Sequence, residues 1–527
     1  MSLGKVEPVK NAISRRRLTQ LAASMPLSYG LLAGMNSMGA LSVSAQGNTV
    51  DSVALGVGSD PLTLVPNHIV DGPTGVITYH MFDAAIVRNK DDEFRYMPWL
   101  CELTNVDDLT WNLTLVQEGV TFSSGNPLTI NDFVSAFNFA KDPANNSHYL
   151  ERWAAFTGLE VVDDKTLKIT TDSPYPLAWD RIAEVYPIDT AKIEEVGLDE
   201  YMKNPSGTGP YVMKEWVRNE YITLEAREDY WAQDVLIKEV QFRTMPEFAT
   251  RLAALLAGEL AIVKDVPVDS FQAVEDSGLA TIKSIPSSRV NYVALVTNRE
   301  DSVFYNNQAL RQAINHAVDV DGIIAGIFQD HATRMAGCLS EINPERNTAI
   351  TPYEYNPDRA RELLAEAGFA DGLEITMDAP QGRYPMDADA AMAIAASLGE
   401  VGVTVNVQYN EWGTHLDKIV NRQTGDMFYL GWGPALDAFG TIAYLFVGDS
   451  TYSGFGDAEI EAKITEASGT VDAEARQAIW DEIQQDIYDQ AGWLFLWQQH
   501  DSYGVANNIV WEPRADEKLW MAEASGA

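Results

Sequence analysis

Gly207-Thr208-Gly209-Pro210-Tyr211-Val212, continued by Trp216 and closed by Tyr230-Trp231, is the most informative segment of this 527-residue chain. Two glycines flank a threonine, as in part of a phosphate-cradling loop. No lysine follows, however, and Pro210 and Tyr211 break the pattern, so the segment reads as a turn. Outward from it, short strands alternate with amphipathic helices, the signature of an α/β or α+β protein.

Upstream, residues 49–57 alternate as a strand and end in Gly58-Ser59-Asp60-Pro61. Residues 111–116 alternate too. Thr129, with Asp132 three positions on, caps a helix whose apolar stripe is Phe133, Ala136, Phe137 and Ala140. Two short strands surround Asp163-Asp164. Downstream, the spacing of Leu310, Ala313, Ile314 and Ala317 predicts a helix over 308–328. Asn356, with Pro357 behind it and Gly368 beyond, brackets another. Strands at 373–377 and 403–407, helices at 388–398 and 472–488, and an apolar strand at 493–497 complete the pattern. No clean linker appears, so domains would be built from discontinuous segments.

The composition, 46% hydrophobic and 21% charged, is globular. There are 76 acidic and 37 basic residues, a net charge of −39. That field repels phosphate backbones and anionic lipid heads, so nucleic-acid binding is disfavoured. The two cysteines, Cys101 and Cys338, have no zinc-type spacing. Cys101 reads as a small buried hydrophobe, with a disulfide to Cys338 as the alternative in an oxidising compartment.

Residues 1–45 read as an export signal. Arg15-Arg16-Arg17 precede a mild apolar run, and Val43-Ser44-Ala45 is a small-residue cleavage site. Adjacent arginines before such a run resemble a twin-arginine signal; an ordinary secretory signal is the alternative. No cysteine follows the run, so a lipid anchor there is not expected. No later stretch reaches the ~18 apolar residues of a membrane helix. The expected product is a soluble exported protein starting near Gln46.

The seven histidines are scattered, and there is no His-Glu-x-x-His, nucleophile elbow or dinucleotide fingerprint. An exported hydrolase is the rival class, without a recognisable catalytic pair.

Six segments in order resemble one family, the peptide/nickel-type (family 5, dipeptide/oligopeptide-binding) solute-binding proteins of ABC importers. They are Met97-Pro98-Trp99-Leu100, residues 128–137, the Gly207-to-Trp231 block, residues 310–319, residues 356–368, and Gly431-Trp432. The resemblance implies an α/β, type II periplasmic binding protein fold with two lobes and a hinge. Lobe one would comprise 46–289 plus 500–527, with an extra subdomain near 85–200; lobe two would be 290–499. Crossings near 288–291 and 498–502 are the hinge candidates. It also implies a monomer with no catalysis and no cofactor or metal, delivering a short peptide or small solute to ABC permease subunits. An oligosaccharide, opine-like conjugate or metal chelate is the alternative ligand, and a signalling receptor the alternative role.

In peptide binders of the family, an aspartate three residues after the motif's tryptophan pairs with the ligand ammonium. Here that position is Ala435, and the next carboxylate is Asp437. Either Asp437 takes the role, or the ligand lacks a free ammonium there; otherwise Asp437 is a turn or helix-cap residue. Trp432 walls the cleft or belongs to the core, and Gly431 and Gly433 flank it. Arg383 could fork onto a ligand carboxylate and Tyr384 could stack. Ser59, Asn291 and Tyr292 complete the candidate binding set.

Overall fold

The computed structural model describes residues 47–68, 72–92, 94–433 and 436–527. The export signal and Ala435 lie outside these residues.

An eleven-stranded mixed sheet organises the chain. Its strands are β1 (Val53–Val57), β2 (Tyr211–Val217), β3 (Tyr221–Ala226), β4 (Glu239–Thr244), β5 (Ile262–Lys264), β6 (Ala280–Leu295), β7 (Ala332–Arg334), β8 (Leu373–Pro380), β9 (Val403–Asn410), β10 (Met427–Trp432) and β11 (Trp493–Ala506). Their order is β9-β8-β10-β6-β11-β5-β1-β4-β3-β2, with β7 pairing β11 off this path. The two long strands, β6 and β11, join the halves. Ala280–Pro286 of β6 pairs with His500–Ala506 of β11, and Val290–Ala294 pairs with Trp493–Gln498. Between Pro286 and Val290 the register shifts. Pro286 has no N–H to donate to a ladder, so the interruption falls where the backbone cannot pair regularly. Side chains take over: Gln498 donates to the Ser287 carbonyl (2.6 Å), and the Ser287 hydroxyl donates to the Gln499 carbonyl (3.1 Å).

Alternation along β6 builds two cores from one strand. Val290, Tyr292 and Ala294 enter one buried cluster, and Val293 and Leu295 enter the other. A separate core lies around the four-stranded antiparallel sheet Cys101–Asp107, Thr110–Leu115, Thr166–Thr171 and Phe156–Val161. Helix Ile130–Lys141 packs on it, and the Thr129 N–H donates to Asp132 (2.8 Å), as the capping pattern predicts. Cys101 and Cys338 are buried free thiols in different cores, so no disulfide joins them.

The turn at Gly207–Gly209 lies against the end of helix Gly72–Met81. A Cβ on Gly207 would stand 2.0 Å from the Met81 carbonyl oxygen, and one on Gly209 2.5 Å from the Met81 carbonyl carbon. Only glycine permits this approach, which the Gly209 N–H uses to donate to Met81 O (2.9 Å). Thr208 accepts from the Asp83 N–H (3.2 Å). The Asp83 carboxylate in turn accepts from Trp99 Nε1, Tyr230 OH and Trp231 Nε1, each at 2.9 Å. Two of the sequence motifs, Met97–Leu100 and the Gly207-to-Trp231 block, thus meet at one buried carboxylate.

One expected element is different. The helix over 308–328 is two, Gln308–Ala317 and Val320–Ile327. Asp319 stops the first and caps the second by accepting from the Gly322 N–H (2.9 Å).

Candidate ligand-binding site

The site lies where β6 and β11 cross between the two halves of the sheet. Arg289, in the interruption of β6, donates to the Gly431 carbonyl (3.4 Å) and stands 3.5 Å from Glu517. Lys264, at the end of β5, stands 2.8 Å from Glu517 and 3.3 Å from Asp501 on β11. Burial alone would raise Glu517, but Lys264 and Arg289 outweigh it and hold the carboxyl below its usual range, with Arg383 adding to the field. Burial pushes Asp501 up to about 6 against the pull of Lys264, because Glu517 and Asp265 add like charge.

Arg383 sits on the loop between β8 and helix Asp387–Glu400. The Asp387 carboxylate accepts from the N–H groups of Gly382, Arg383 and Tyr384 (2.8–3.0 Å), which fixes the loop. The exposed Arg383 guanidinium lies 5.0 Å from the Trp412 ring centre and 5.1 Å from that of Tyr384. Tyr384 is buried and donates to the Gly431 carbonyl (2.9 Å). Asn291 accepts from Tyr429 OH (3.2 Å). A Cβ on Gly431 would meet both Tyr384 (2.7 Å) and Asn291 (2.8 Å), and one on Gly433 would meet Arg289 Cα (2.8 Å). Arg383, Tyr384, Asn291, Gly431 and Gly433 therefore gather around Arg289.

Tyr292, Trp432 and Asp437 are elsewhere, and Ser59 borders the cluster only through Lys264. Tyr292 points to the opposite face of β6 and stacks on Trp493 at 3.6 Å, inside the core. Alternation along a strand forces this: if Asn291 faces the crossing, Tyr292 cannot. Trp432 is half-buried against Tyr444 and Tyr452, and its Nε1 donates to the Gly440 carbonyl (2.8 Å). Ser59 is exposed and lines a cavity of about 140 Å³ with Asp60, Val76, Phe242 and Lys264.

Asp437 caps helix Ala438–Leu445 by accepting from the Gly440 N–H (2.6 Å), the helix-cap alternative among its readings. Its other oxygen lies 3.6 Å from Arg88, which also donates to the Leu436 carbonyl (3.1 Å) and to Asp180 (3.2 Å). Burial pushes Asp437 up to about 7; Asp180 adds to the rise and Arg88 opposes it. Asp437 lines a cavity of about 740 Å³ that none of the other nominated residues reaches.

Arg289, Glu517, Lys264 and Asp501 are the polar groups that sequence reasoning missed. Arg289 and Asp501 lie inside the two hinge candidates, which was a signal. Glu517 has no motif and meets Arg289 only through the path of the C-terminal segment. Among the described residues no cluster of His, Cys, Asp or Glu is arranged to hold a metal ion. No described helix is long and apolar enough to cross a membrane.

Comparison with known proteins bears on this arrangement. Residues 95–454 match the family described as "Bacterial extracellular solute-binding proteins, family 5 Middle". The glutathione-binding protein GsiB of Pectobacterium atrosepticum is 25% identical over 406 residues, covering 74% of this chain and 77% of that protein. The heme-binding protein A of Haemophilus influenzae is 25% identical over 468 residues, covering 82% and 84%. The fold matches the crystal structure of the ABC transporter substrate binding protein CtaP from Listeria monocytogenes. That match has a TM-score of 0.82 at 23% identity and covers 91% of this chain and 100% of that one. A family match over most of the chain and a shared two-lobed α/β fold agree with the motifs read from the sequence, and the chain belongs to the bacterial extracellular solute-binding proteins of family 5.

Proposed function

We propose that this protein captures a short peptide or a peptide-like small solute outside the cytoplasm and delivers it to the permease of an ABC importer, without chemical change. The single observation that carries the reading is the polar cluster at the crossing. Arg383 and the Gly431 carbonyl come from one side of it, Lys264, Asp501 and Glu517 from the other, and Arg289 stands between them at the hinge. The lobes are 46–289 with 500–527, and 290–499, hinged at residues 288–291 and 498–502. Two strands cross, each locally irregular or held by side chains, so rotation there disturbs few backbone bonds.

Ligand stabilises the closed form by its greater affinity for it, and the importer reads closure. Arg383 and Arg289 are suited to a carboxylate, and the Asn291 side chain to an amide. A buried polar group left unmatched costs about 1–3 kcal/mol, which is how such a site discriminates. Asp437 is already committed to a helix N-terminus and to Arg88, which favours a solute with no free ammonium at that position. The glutathione-binding relative is consistent with a peptide-like solute. Residues 1–45 direct export by the twin-arginine route, and the exported form is a soluble periplasmic monomer without a lipid anchor.

Native mass spectrometry of the purified protein, followed by denaturation and identification of the released molecule, tests this. A short peptide or peptide conjugate is expected. A released sugar would overturn the peptide reading while leaving the binding role intact. Turnover of the released compound by the protein would overturn the role itself.

A further inference from the structure

The cavity of about 740 Å³ beside Asp437 is not explained by the crossing site. Tyr96 and Trp179 form one wall, and Phe439, Ala467 and Trp480 the other. The first wall belongs to the aromatic cluster of residues 96–201, where Tyr96 stacks on Trp179 at 6.1 Å. The second belongs to the core of helices Ala438–Leu445, Ala458–Gly469 and Ala473–Asp489. The volume falls within the ~300–1,000 Å³ of sites that hold small organic molecules.

The charges at its inner edge are matched to one another, while Arg95 and Glu474 are exposed at the rim. Arg88 lies between Asp180 (3.2 Å) and Asp437 (3.6 Å) and covers the Tyr96 ring at 4.1 Å. Arg181 takes the other oxygen of Asp180 (2.8 Å), and Arg476 faces Glu345 (3.8 Å). Glu345 also accepts from the Ala438 N–H (2.6 Å). A charged occupant would have to displace one of these pairs, whereas an uncharged one need only replace water on the aromatic walls.

We infer that this chamber is a second binding compartment of the protein, and that it takes an uncharged aromatic group. The group comes either from a separate aromatic molecule or from the transported solute itself. The inference goes beyond the solute-binding reading and does not need it, because the chamber is tested with a dye alone.

The experiment is a fluorescence titration of the purified full chain with N-phenyl-1-naphthylamine, an uncharged aromatic probe. One saturable site per chain is expected, with an affinity that does not change between low and high salt. Ser468, half-buried on the chamber wall, supplies a filling variant. Ser468→Trp should weaken the dye by about tenfold or more, with an unchanged circular dichroism spectrum. Trp179→Ala, which removes a wall, should weaken it as well. Absence of saturable binding, or equal affinity in the wild type and in Ser468→Trp, would overturn the inference. So would an affinity that falls steeply with salt, because the occupant would then be held by charge. Competition with the solute recovered from the protein separates the two sources. Displacement makes the chamber part of the solute site, and simultaneous binding makes it independent.

Discussion

Two buried carboxylate clusters join the parts of this molecule, and they are built from opposite materials. At Asp83 every donor to the carboxylate is uncharged, two indole N–H groups and one phenol, while the Thr208 hydroxyl accepts from the Asp83 N–H. At the crossing, Glu517 and Asp501 are held by Lys264 and Arg289, on long side chains. Aromatic donors have few rotamers and sit rigidly, so Asp83 welds residues 96–231 to the end of helix Gly72–Met81 in one geometry. Ion pairs on flexible stems weaken gradually with distance and tolerate a change of angle. A rigid joint stands at the end of helix Gly72–Met81, and an adjustable one stands where β6 and β11 join the two halves of the sheet.

Replacing Asp83 by alanine should be the largest blow to this contrast. It strands three buried donors and should cost about 3–5 kcal/mol in urea denaturation. A loss under about 1 kcal/mol would show that the weld is dispensable. Gly207→Ala should follow at about 2–3 kcal/mol, since its Cβ meets backbone rather than a movable side chain.

Glu517→Gln should behave differently. Its stability cost should be only about 1 kcal/mol, because the site is partly open to water. The ligand-free protein should instead become more extended in small-angle scattering. A large stability loss with no change in dimensions would reverse the comparison.

Asp437 sharpens it through pH. Its pKa is raised from 3.8 to about 7 on folding, so the folded protein holds that proton more tightly than the unfolded chain. Its favourable contribution is complete below about pH 4 and is lost as pH rises through about 7. Asparagine also caps helices but does not titrate. The melting temperature of Asp437→Asn should therefore gain on that of the wild type between pH 5 and pH 8, by the equivalent of about 2–3 kcal/mol. A constant difference across that range would remove Asp437 as a titrating group. The smallest effect concerns the thiols. Denaturation without reductant should expose both Cys101 and Cys338 to a thiol reagent with no change in stability on prior reduction.

The sequence showed most of the local architecture. The capping patterns at Thr129 and Asn356 each start a helix, the helix predicted at 472–488 is present, the strands predicted at 373–377 and 403–407 each run three residues further, and the one predicted at 493–497 extends to Ala506. It overran at Asp319, where a residue inside an unbroken apolar rhythm is a cap. Of the candidate site, Arg383, Tyr384, Asn291 and the two glycines converge, Ser59 borders the cluster through Lys264, and Trp432, Asp437 and Tyr292 do not join them. The face of β6 that Tyr292 takes depends on strand register, which alternation alone leaves open by one residue.

Caps, turns and apolar periods are set by contacts three or four residues apart, which the chain carries with it wherever it goes; by themselves they determined the helices, the strands and the order of the family's motifs. The Asp83 weld, the Arg289–Glu517 pair 228 residues apart and the chamber beside Asp437 exist only once β6 and β11 have crossed and brought distant segments together. Those features belong to the tertiary structure, because the electrostatics of a buried group depend on which distant charges and donors surround it.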